Sequence, residues 1–292
     1  MNKENILKKM KYEQENSIEL FIIKIKTKMK KYYSYLIVVG MFLSTIFTSC
    51  NKDEDVIDPG IMQMSTKVVG EVTIALDGTG LITIDWGDGP AKVTETLSFD
   101  TYVEFSHNYS TPNIRTIRIY GDNIVGLNCS NNQLTSLDVS RNVALTGLYC
   151  FDNQLTSLDI SKNSMLFHLG CGGNQLTSLD MTKNVALNSL QCGNNQLTSL
   201  DLSKNIALVG LSCWKNQLTS LDMSNNTILI GLNCYSNQLS ATELDALFGS
   251  LHSNAITGET ANYISIYDNP GTTTCNPSIA TDRGWTVDMI ER

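Results

Sequence analysis

The sequence has few of the residues on which catalytic and metal sites usually depend. Its three histidines, His107, His168 and His252, belong to no recognisable serine or cysteine nucleophile motif. Neither a glycine-rich phosphate loop nor an H-E-x-x-H pattern occurs, and the close cysteine pairs of zinc sites are missing. We therefore expect no catalysis, no bound metal and no cofactor. A pair of acids that assists glycan hydrolysis is the remote alternative.

Positive charge is also scarce. The 292 residues include 21 lysines and arginines against 29 acidic residues, a formal net charge of −8. Without residues 1–49 the balance becomes 12 basic against 25 acidic residues, a net charge of −13. An acidic chain is repelled by the phosphate backbone, so we expect no nucleic-acid partner.

No apolar run is long enough for a transmembrane helix. Residues 36–47 form an apolar run of a dozen residues, whereas a spanning helix needs about 20. Two lysines precede this run and small residues follow it, which is the pattern of a secretory signal. That pattern starts at Met29 and residues 1–28 do not fit it, so we expect translation to begin at Met29 and the signal to end at residue 49.

The residues that follow the apolar run predict a lipid anchor. Residues 47–50 (FTSC) resemble the lipobox of bacterial lipoproteins, in which the cysteine becomes acylated. Residues 51–55 (NKDED) resemble the surface-export signal of Bacteroidetes lipoproteins; a plain acidic tether is the alternative. The resemblance implies lipidation at Cys50, a tether over residues 50–65, and an outer-membrane protein exposed on the cell surface.

The sequence contains eight cysteines, six of which follow a strict period. Such a count in an exported protein usually indicates disulfides, and disulfides between coils remain an alternative. The spacing favours a repeat instead, because six cysteines recur every 21 residues together with the residues around them: Cys129, Cys150, Cys171, Cys192, Cys213 and Cys234. Free cysteine packs as a small apolar residue, so we expect these side chains to face the core.

The shared frame is L-x-x-L-x-C-x-x-N-Q-L-T-S-L-D-x-S-K-N, and it resembles the leucine-rich-repeat family over residues 124–239. One coil cannot bury its apolar edge alone, so neighbouring coils must stack. The resemblance implies a mainly β solenoid of about six 21-residue coils over residues 122–239. The L-x-C segment predicts one parallel strand per coil, and the L-T-S-L segment predicts a second ladder opposite.

Two polar positions of the frame have predicted structural roles. The asparagines of N-Q-L should satisfy buried backbone groups; they are Asn132, Asn153, Asn174, Asn195, Asn216 and Asn237. The aspartates of the frame should hold the N–H groups of the next bend; they are Asp138, Asp159, Asp180, Asp201 and Asp222. A calcium ladder is the alternative for these aspartates, although one carboxylate per coil supplies few ligands.

A separate β module is predicted before the repeats. Residues 68–75 and 81–86 read as strands that a turn at 77–80 joins into a hairpin. The W-G-D-G sequence at 86–89 and the H-N-Y sequence at 107–109 resemble the PKD family of immunoglobulin-like sandwiches. That resemblance covers residues 66–121. We interpret Trp86, Asp88 and His107 as structural, since Gly-Asp-Gly favours a turn.

The repeat frame ends at Leu239, and residues 240–292 predict an α/β cap. Apolar residues of 241–251 fall on one helical face behind Ser240, which is a plausible N-cap. A strand is expected at 263–267. A solenoid needs such a terminal element because its last coil would otherwise expose an apolar end.

Information about a partner must lie where the repeats differ. The outward strand positions that differ most carry aromatic and polar side chains, and these are the candidate ligand-binding residues: Tyr149, Phe151, His168, Gln191, Trp214 and Tyr235. Exposed aromatics on a rigid sheet suit binding of a protein or a carbohydrate. The sequence therefore predicts a non-enzymatic binding module. The alternative is a structural or spacer lipoprotein whose aromatics pack against neighbouring coils.

Overall fold

The computed structural model describes residues 61–99, 101–254 and 262–290, which belong to one compact unit. The predicted signal peptide, Cys50 and most of the tether lie outside these residues. Fourteen strands and two helices are described, and we label them in chain order. Among the described residues, no helix is long and apolar enough to cross a membrane.

The centre of the fold is a ladder of short parallel strands, one per coil and paired in register. These strands are β6 (Asn123–Asn128), β8 (Gly147–Tyr149), β9 (His168–Gly170), β10 (Ser189–Gln191), β11 (Gly210–Ser212) and β12 (Gly231–Asn233). Two more strands extend the ladder, namely β13 (Asn262–Ser265) and β14 (Trp285–Asp288). The chain is thus a mainly β solenoid of the leucine-rich-repeat fold with about seven turns.

Each coil contributes the same apolar set to a continuous core. In the second coil, Leu148 and Cys150 of the strand segment, Leu155 of the opposite side and Leu166 at the end of the next bend are fully buried. Each fully buried large apolar side chain contributes about 1.5–3 kcal/mol relative to an exposed one. The period of 21 residues therefore fixes a core that no single coil could form.

The strands of residues 61–121 pair with strands of the solenoid. Their strands are β1 (Ile61–Thr66), β2 (Gly70–Asp85), β3 (Lys92–Leu97), β4 (Val103–Tyr109) and β5 (Arg115–Tyr120). β2 pairs antiparallel with β6, and β1 pairs antiparallel with β7 (Leu134–Asp138) on the opposite side of the first coil. The N-terminal strands thus cover both sides of the solenoid's first coil.

The predicted hairpin at 68–86 is wrong, because β2 runs without a turn from Gly70 to Asp85. Its first half pairs with β4, and its second half pairs with β3 and β5. At the change of partner, Gly78 lies so close to the backbone of Asn123 that a Cβ would collide with its carbonyl oxygen. The glycines at 78 and 80 therefore permit a shift of register between strands, not a reversal.

The second ladder predicted from the L-T-S-L segments is also wrong within the described residues. Only β7 of the first coil is a strand, and its partner is β1. In later coils the second side carries a single backbone bond between coils, such as Gln175 N to Leu155 O at 2.9 Å. The N–H of the leucine itself is taken by an asparagine side chain, which leaves no regular ladder.

After the repeats, helix α1 (Ala241–Ser250) begins where predicted. The Ser240 hydroxyl accepts a hydrogen bond from the Glu243 N–H at 3.3 Å. The chain then packs on the preceding coil, since His252 contacts the Leu229 carbonyl at 2.6 Å. A short helix, α2 (Ser278–Thr281), precedes β14.

Candidate functional site

The candidate site is the strand face, by which we mean the outward side chains of the parallel ladder and the residue that follows each inward cysteine. All six predicted residues lie on this face, and all are half-buried: Tyr149, Phe151, His168, Gln191, Trp214 and Tyr235. Neighbouring strands pair in register, as Leu169, Leu190 and Leu211 do, so equivalent residues form straight rows. The face is therefore a rigid surface on which side chains differ from coil to coil.

Glycines on the strand face make room for aromatic rings from other coils. The ring of Phe151 occupies the place where a side chain at Gly170 would stand, and it lies 3.4 Å from a Cβ built at Gly172. The ring of Trp214 lies 2.6 Å from a Cβ built at Gly193. The middle of the strand face, where glycines occupy outward positions, is thus covered by Phe151 and Trp214, which flank it in the sequence.

A stack of three aromatic rings runs along the C-terminal half of the strand face. Trp214 stacks on Tyr235 at a centroid distance of 5.5 Å with planes 9° apart. Tyr235 stacks in turn on Tyr267 at 4.2 Å and 13°. Both faces of the Tyr235 ring are therefore used inside the protein, and this ring cannot lie flat on a sugar. The exposed part of the Tyr235 ring is therefore its edge.

The turn that follows each strand has left-handed backbone. In most coils the residue is of a type that tolerates this conformation, such as Asn194 with φ of 54°. Lys215 and Ser236 adopt it too, with φ of 48° and 52°, directly after Trp214 and Tyr235. Non-glycine residues held there cost on the order of 1–3 kcal/mol, and the recurrence of this conformation in every coil makes it a feature of the repeat.

These two residues also make contacts at the rim of the stack. The Lys215 ammonium lies 5.5 Å from the centroid of the Trp214 ring. The Ser236 hydroxyl is hydrogen-bonded to the Asp268 carboxylate at 2.8 Å. The rim thus combines a cation, a hydroxyl and a carboxylate beside the aromatic rings.

The two predicted structural columns have the roles assigned to them. Asn195 accepts from the Leu176 N–H at 3.0 Å and donates to the carbonyls of Cys171 and Cys192. Asp180 accepts from the Thr182 N–H at 2.9 Å, and this bond is the main reason that its pKa is lowered. Equivalent bonds recur along the solenoid, so these polar residues belong to the scaffold.

The inward cysteines are fully buried, which confirms the prediction that they pack in the core. Burial raises the pKa of all six thiols, to about 12 for Cys129, Cys171 and Cys234. A thiol that stays protonated is a poor nucleophile and a poor metal ligand. Within the described residues, no group of histidine, cysteine or acidic side chains could hold a metal ion.

A second polar cluster lies in the N-terminal strands. His107 stacks on Trp86 at 5.1 Å, and its Nε2 is 2.7 Å from an Asp88 carboxylate oxygen. The Tyr109 hydroxyl donates to the Trp86 carbonyl at 2.6 Å, and burial of the Tyr109 ring raises its pKa. These contacts link the 86–89 turn to β4, as the structural interpretation of Trp86, Asp88 and His107 requires.

Several features of the site could not be assigned from the repeat frame. Tyr102 lies against Gly126 and Gly147, and Tyr263 lies 2.8 Å from a Cβ built at Gly231, so both add to the strand face. Tyr267 also lies beyond the last copy of the frame. The sequence I-x-I-Y-D-N at 264–269 matches L-x-C-x-x-N, a signal that could have revealed this seventh coil.

A second buried asparagine column was missed as well. Asn184 donates to the Asn163 carbonyl at 2.8 Å, and the same bond recurs with every repeat from Asn163 to Asn226. The period of the S-K-N motif was the available signal. This column holds the bends in register in the same way that the first column holds the strand turns.

Comparisons with known proteins give leucine-rich-repeat structures. No protein-family model matches the sequence, and the search of curated proteins finds no match. Among solved structures, the chain is similar to a functional domain of InlJ from Listeria monocytogenes that includes a cysteine ladder. The identity is 25% and the TM-score 0.34, over 57% of this chain and 45% of that one.

Two further solved structures are similar to the chain. An internalin, InlF, from Listeria monocytogenes matches at 20% identity and a TM-score of 0.42, over 56% of this chain and 54% of that one. The leucine-rich effector YopM from Yersinia pestis matches at 19% identity and a TM-score of 0.36, over 50% and 38%. The chain thus spans about half the length of the leucine-rich-repeat structures it matches.

Proposed function

We propose that this chain is a non-enzymatic recognition module that binds a protein partner through its strand face. The observation that carries the proposal is the row of half-buried aromatic rings on a rigid ladder, above all the stack of Trp214, Tyr235 and Tyr267. Large aromatic side chains that are held in place lose little entropy on binding and supply most hot spots of protein interfaces.

The arrangement of the rings favours a protein over a carbohydrate. A sugar ring binds best to an open aromatic face. Tyr235 has both faces covered by its neighbours, and Phe151 lies across Gly170. Ring edges and polar groups such as the Lys215 ammonium suit the mixed surface of a polypeptide better. Trp214 lies against Gly193 and stacks on Tyr235, so its ring is also partly covered. Carbohydrate is therefore the second partner class.

The binding test compares variants of the same coil on opposite sides of the solenoid. Trp214→Ala and Tyr149→Ala remove rings from the strand face, whereas Thr219→Ala and Thr156→Ala change exposed residues on the opposite side. Each variant is screened against one panel of purified extracellular proteins and glycans. Loss of a bound partner in the first pair and not in the second supports the proposal. Equal affinity in all four variants would exclude the strand face as the site.

A structural or spacer role is the second candidate, and a specific observation favours it. The same contacts that order the aromatics also bury part of them, so they can stabilise the solenoid without a partner. In that case the two aromatic variants lower the stability of the protein, and no panel member binds the wild type.

We also propose that Cys50 is acylated and that the protein is displayed on the outer surface of the outer membrane. The FTSC and NKDED sequences support this proposal. The PKD-like assignment of residues 66–121 rests likewise on sequence resemblance. Protease treatment of intact cells, compared with a Cys50→Ala variant, tests display. Surface display requires that the protease removes the wild type and that the variant is no longer membrane-bound; a membrane-bound but protected wild type would face the periplasm.

A further inference from the structure

One edge of the solenoid exposes apolar side chains in every repeat. We call it the bend edge; it consists of residues 138–145, 159–166, 180–187, 201–208 and 222–229. Each of these bends leaves one large apolar side chain about half exposed, at Val143 (58%), Met165 (56%), Val185 (53%), Ile206 (62%) and Ile228 (49%). Successive coils are roughly 4.8 Å apart, so the apolar row is about 19 Å long.

A row of basic residues runs beside the apolar row. Its members are exposed and lie two to three residues before the apolar positions: Arg141, Lys162, Lys183 and Lys204. The described residues contain only six other lysines and arginines, so this row holds a large share of the positive charge of an acidic protein. The exposed aspartates of the same bends are held at the backbone, where their Oδ1 atoms accept from N–H groups.

The described chain begins at this same edge. β1 pairs antiparallel with β7 so that Gln63 is opposite Asp138 and Thr66 is opposite Leu134. Ile61 therefore lies at the end of β1 nearest Asp138, where the first bend starts. Ten residues lie between Cys50 and Ile61, and a fully extended chain over that separation spans at most about 40 Å. An anchor at Cys50 would therefore be connected to the described chain at the end of β1 that lies beside the bend edge.

We infer that the bend edge lies against a lipid bilayer, with its apolar row in the headgroup region and its basic row toward anionic headgroups. This inference rests on the lipid anchor in the proposed function. Apolar side chains beside lysines are the composition of interfacial membrane contacts. Once the anchor holds the protein at the membrane, even a weak contact of this kind forms at a high effective concentration.

The orientation has a consequence for the strand face. The bends and the turns that follow the strands lie at opposite edges of each coil. With the bend edge on the bilayer, the rim formed by Trp214, Lys215 and Ser236 points away from it. The aromatic stack would then be open to a partner outside the cell.

The experiment uses the full chain with its acyl anchor, reconstituted into vesicles of phosphatidylethanolamine and phosphatidylglycerol that contain a nitroxide-labelled lipid. A fluorophore is attached at Val185→Cys on the bend edge or, as the matched control, at Ile114→Cys. Ile114 is 64% exposed and precedes Arg115, which pairs with Thr66 at the other end of β1. The repeat thiols are buried, and Cys275→Ser removes the half-buried one.

If the bend edge contacts lipid, quenching at position 185 is at least about twofold stronger than at position 114, because only the former is near the headgroups. Lys183→Glu with Lys204→Glu, both exposed, then reduces the quenching at 185. Equal quenching at both positions would overturn the inference. The inference would also be overturned if iodide failed to quench the fluorophore at position 185 before lipid is added, since another segment or a second copy of the chain would then cover the bend edge.

Acylation is measured separately by incorporation of palmitate. Absence of palmitate on the wild type would contradict the anchor in the proposed function and not, by itself, the bend-edge contact. In that event the same two positions are compared in the Cys50→Ala chain with excess vesicles. Stronger quenching at 185 supports the contact, and equal quenching overturns it.

Discussion

Replacement of Asn195 by alanine tests whether the asparagine column holds the coils together. The side chain accepts from the Leu176 N–H at 3.0 Å and donates to the carbonyls of Cys171 and Cys192 at 3.0 and 3.1 Å. Alanine removes these bonds at a position that is 8% exposed. Water cannot readily replace the lost partners at such a site.

The magnitude follows from what each partner keeps. The carbonyls of Cys171 and Cys192 retain a second amide donor, from Asn174 and Asn216. The Leu176 N–H retains no side-chain acceptor. A buried unsatisfied group costs about 1–3 kcal/mol and each lost bond about 0.5–1.5 kcal/mol, so we expect a loss of about 2–4 kcal/mol in the free energy of unfolding.

Equilibrium unfolding in urea measures this loss, with Gln196→Ala as the matched control. Gln196 is the next residue in the chain, carries the same amide and is exposed, so its replacement should change stability by no more than about 0.5 kcal/mol. Hydrogen exchange of the Leu176 amide should also become faster in the Asn195→Ala protein. Equal stability of the two variants would refute the role assigned to the column.

Four further predictions concern the strand face, the thiols and the bends. Gly193→Ala should displace the Trp214 ring and shift its fluorescence, whereas Gly210→Ala, where a Cβ meets open space, should not. Thiol reagents at pH 8 should modify Cys275 in the folded protein and the six repeat thiols only on unfolding. Burial raises the pKa of these six thiols, to about 12 for three of them. The stability that the thiols contribute is therefore complete below pH 9 and falls as the pH rises toward 12. The urea midpoint of unfolding, followed against pH, measures this fall. The pKa of Asp180 is lowered in the folded protein, so its carboxylate contributes stability that is complete above pH 3.8 and is lost as the pH falls through the folded pKa. Asp180→Asn should therefore lose less stability in acid than the wild type does.

The sequence by itself determined the features that repeat. A period of 21 residues requires equivalent positions to stack, so the inward place of the cysteines and the backbone bonds of residues such as Asn195 and Asp180 follow from the pattern. The helix after Ser240 could be predicted for a similar reason, since its cap and its apolar face are local. The outward position of Trp214 followed from strand alternation.

The tertiary structure alone decided what depends on contacts between coils. Alternation shows that Phe151 faces outward, but not that its ring leans over Gly170 of the next coil. Alternation also cannot predict that Tyr102 packs on Gly126, since Tyr102 precedes β4 of the N-terminal strands and Gly126 lies in β6 of the solenoid. The same holds for β2, whose glycines read as a turn until the partner strands on both sides are known. Local sequence fixes which way a side chain points, whereas its neighbours fix what it covers.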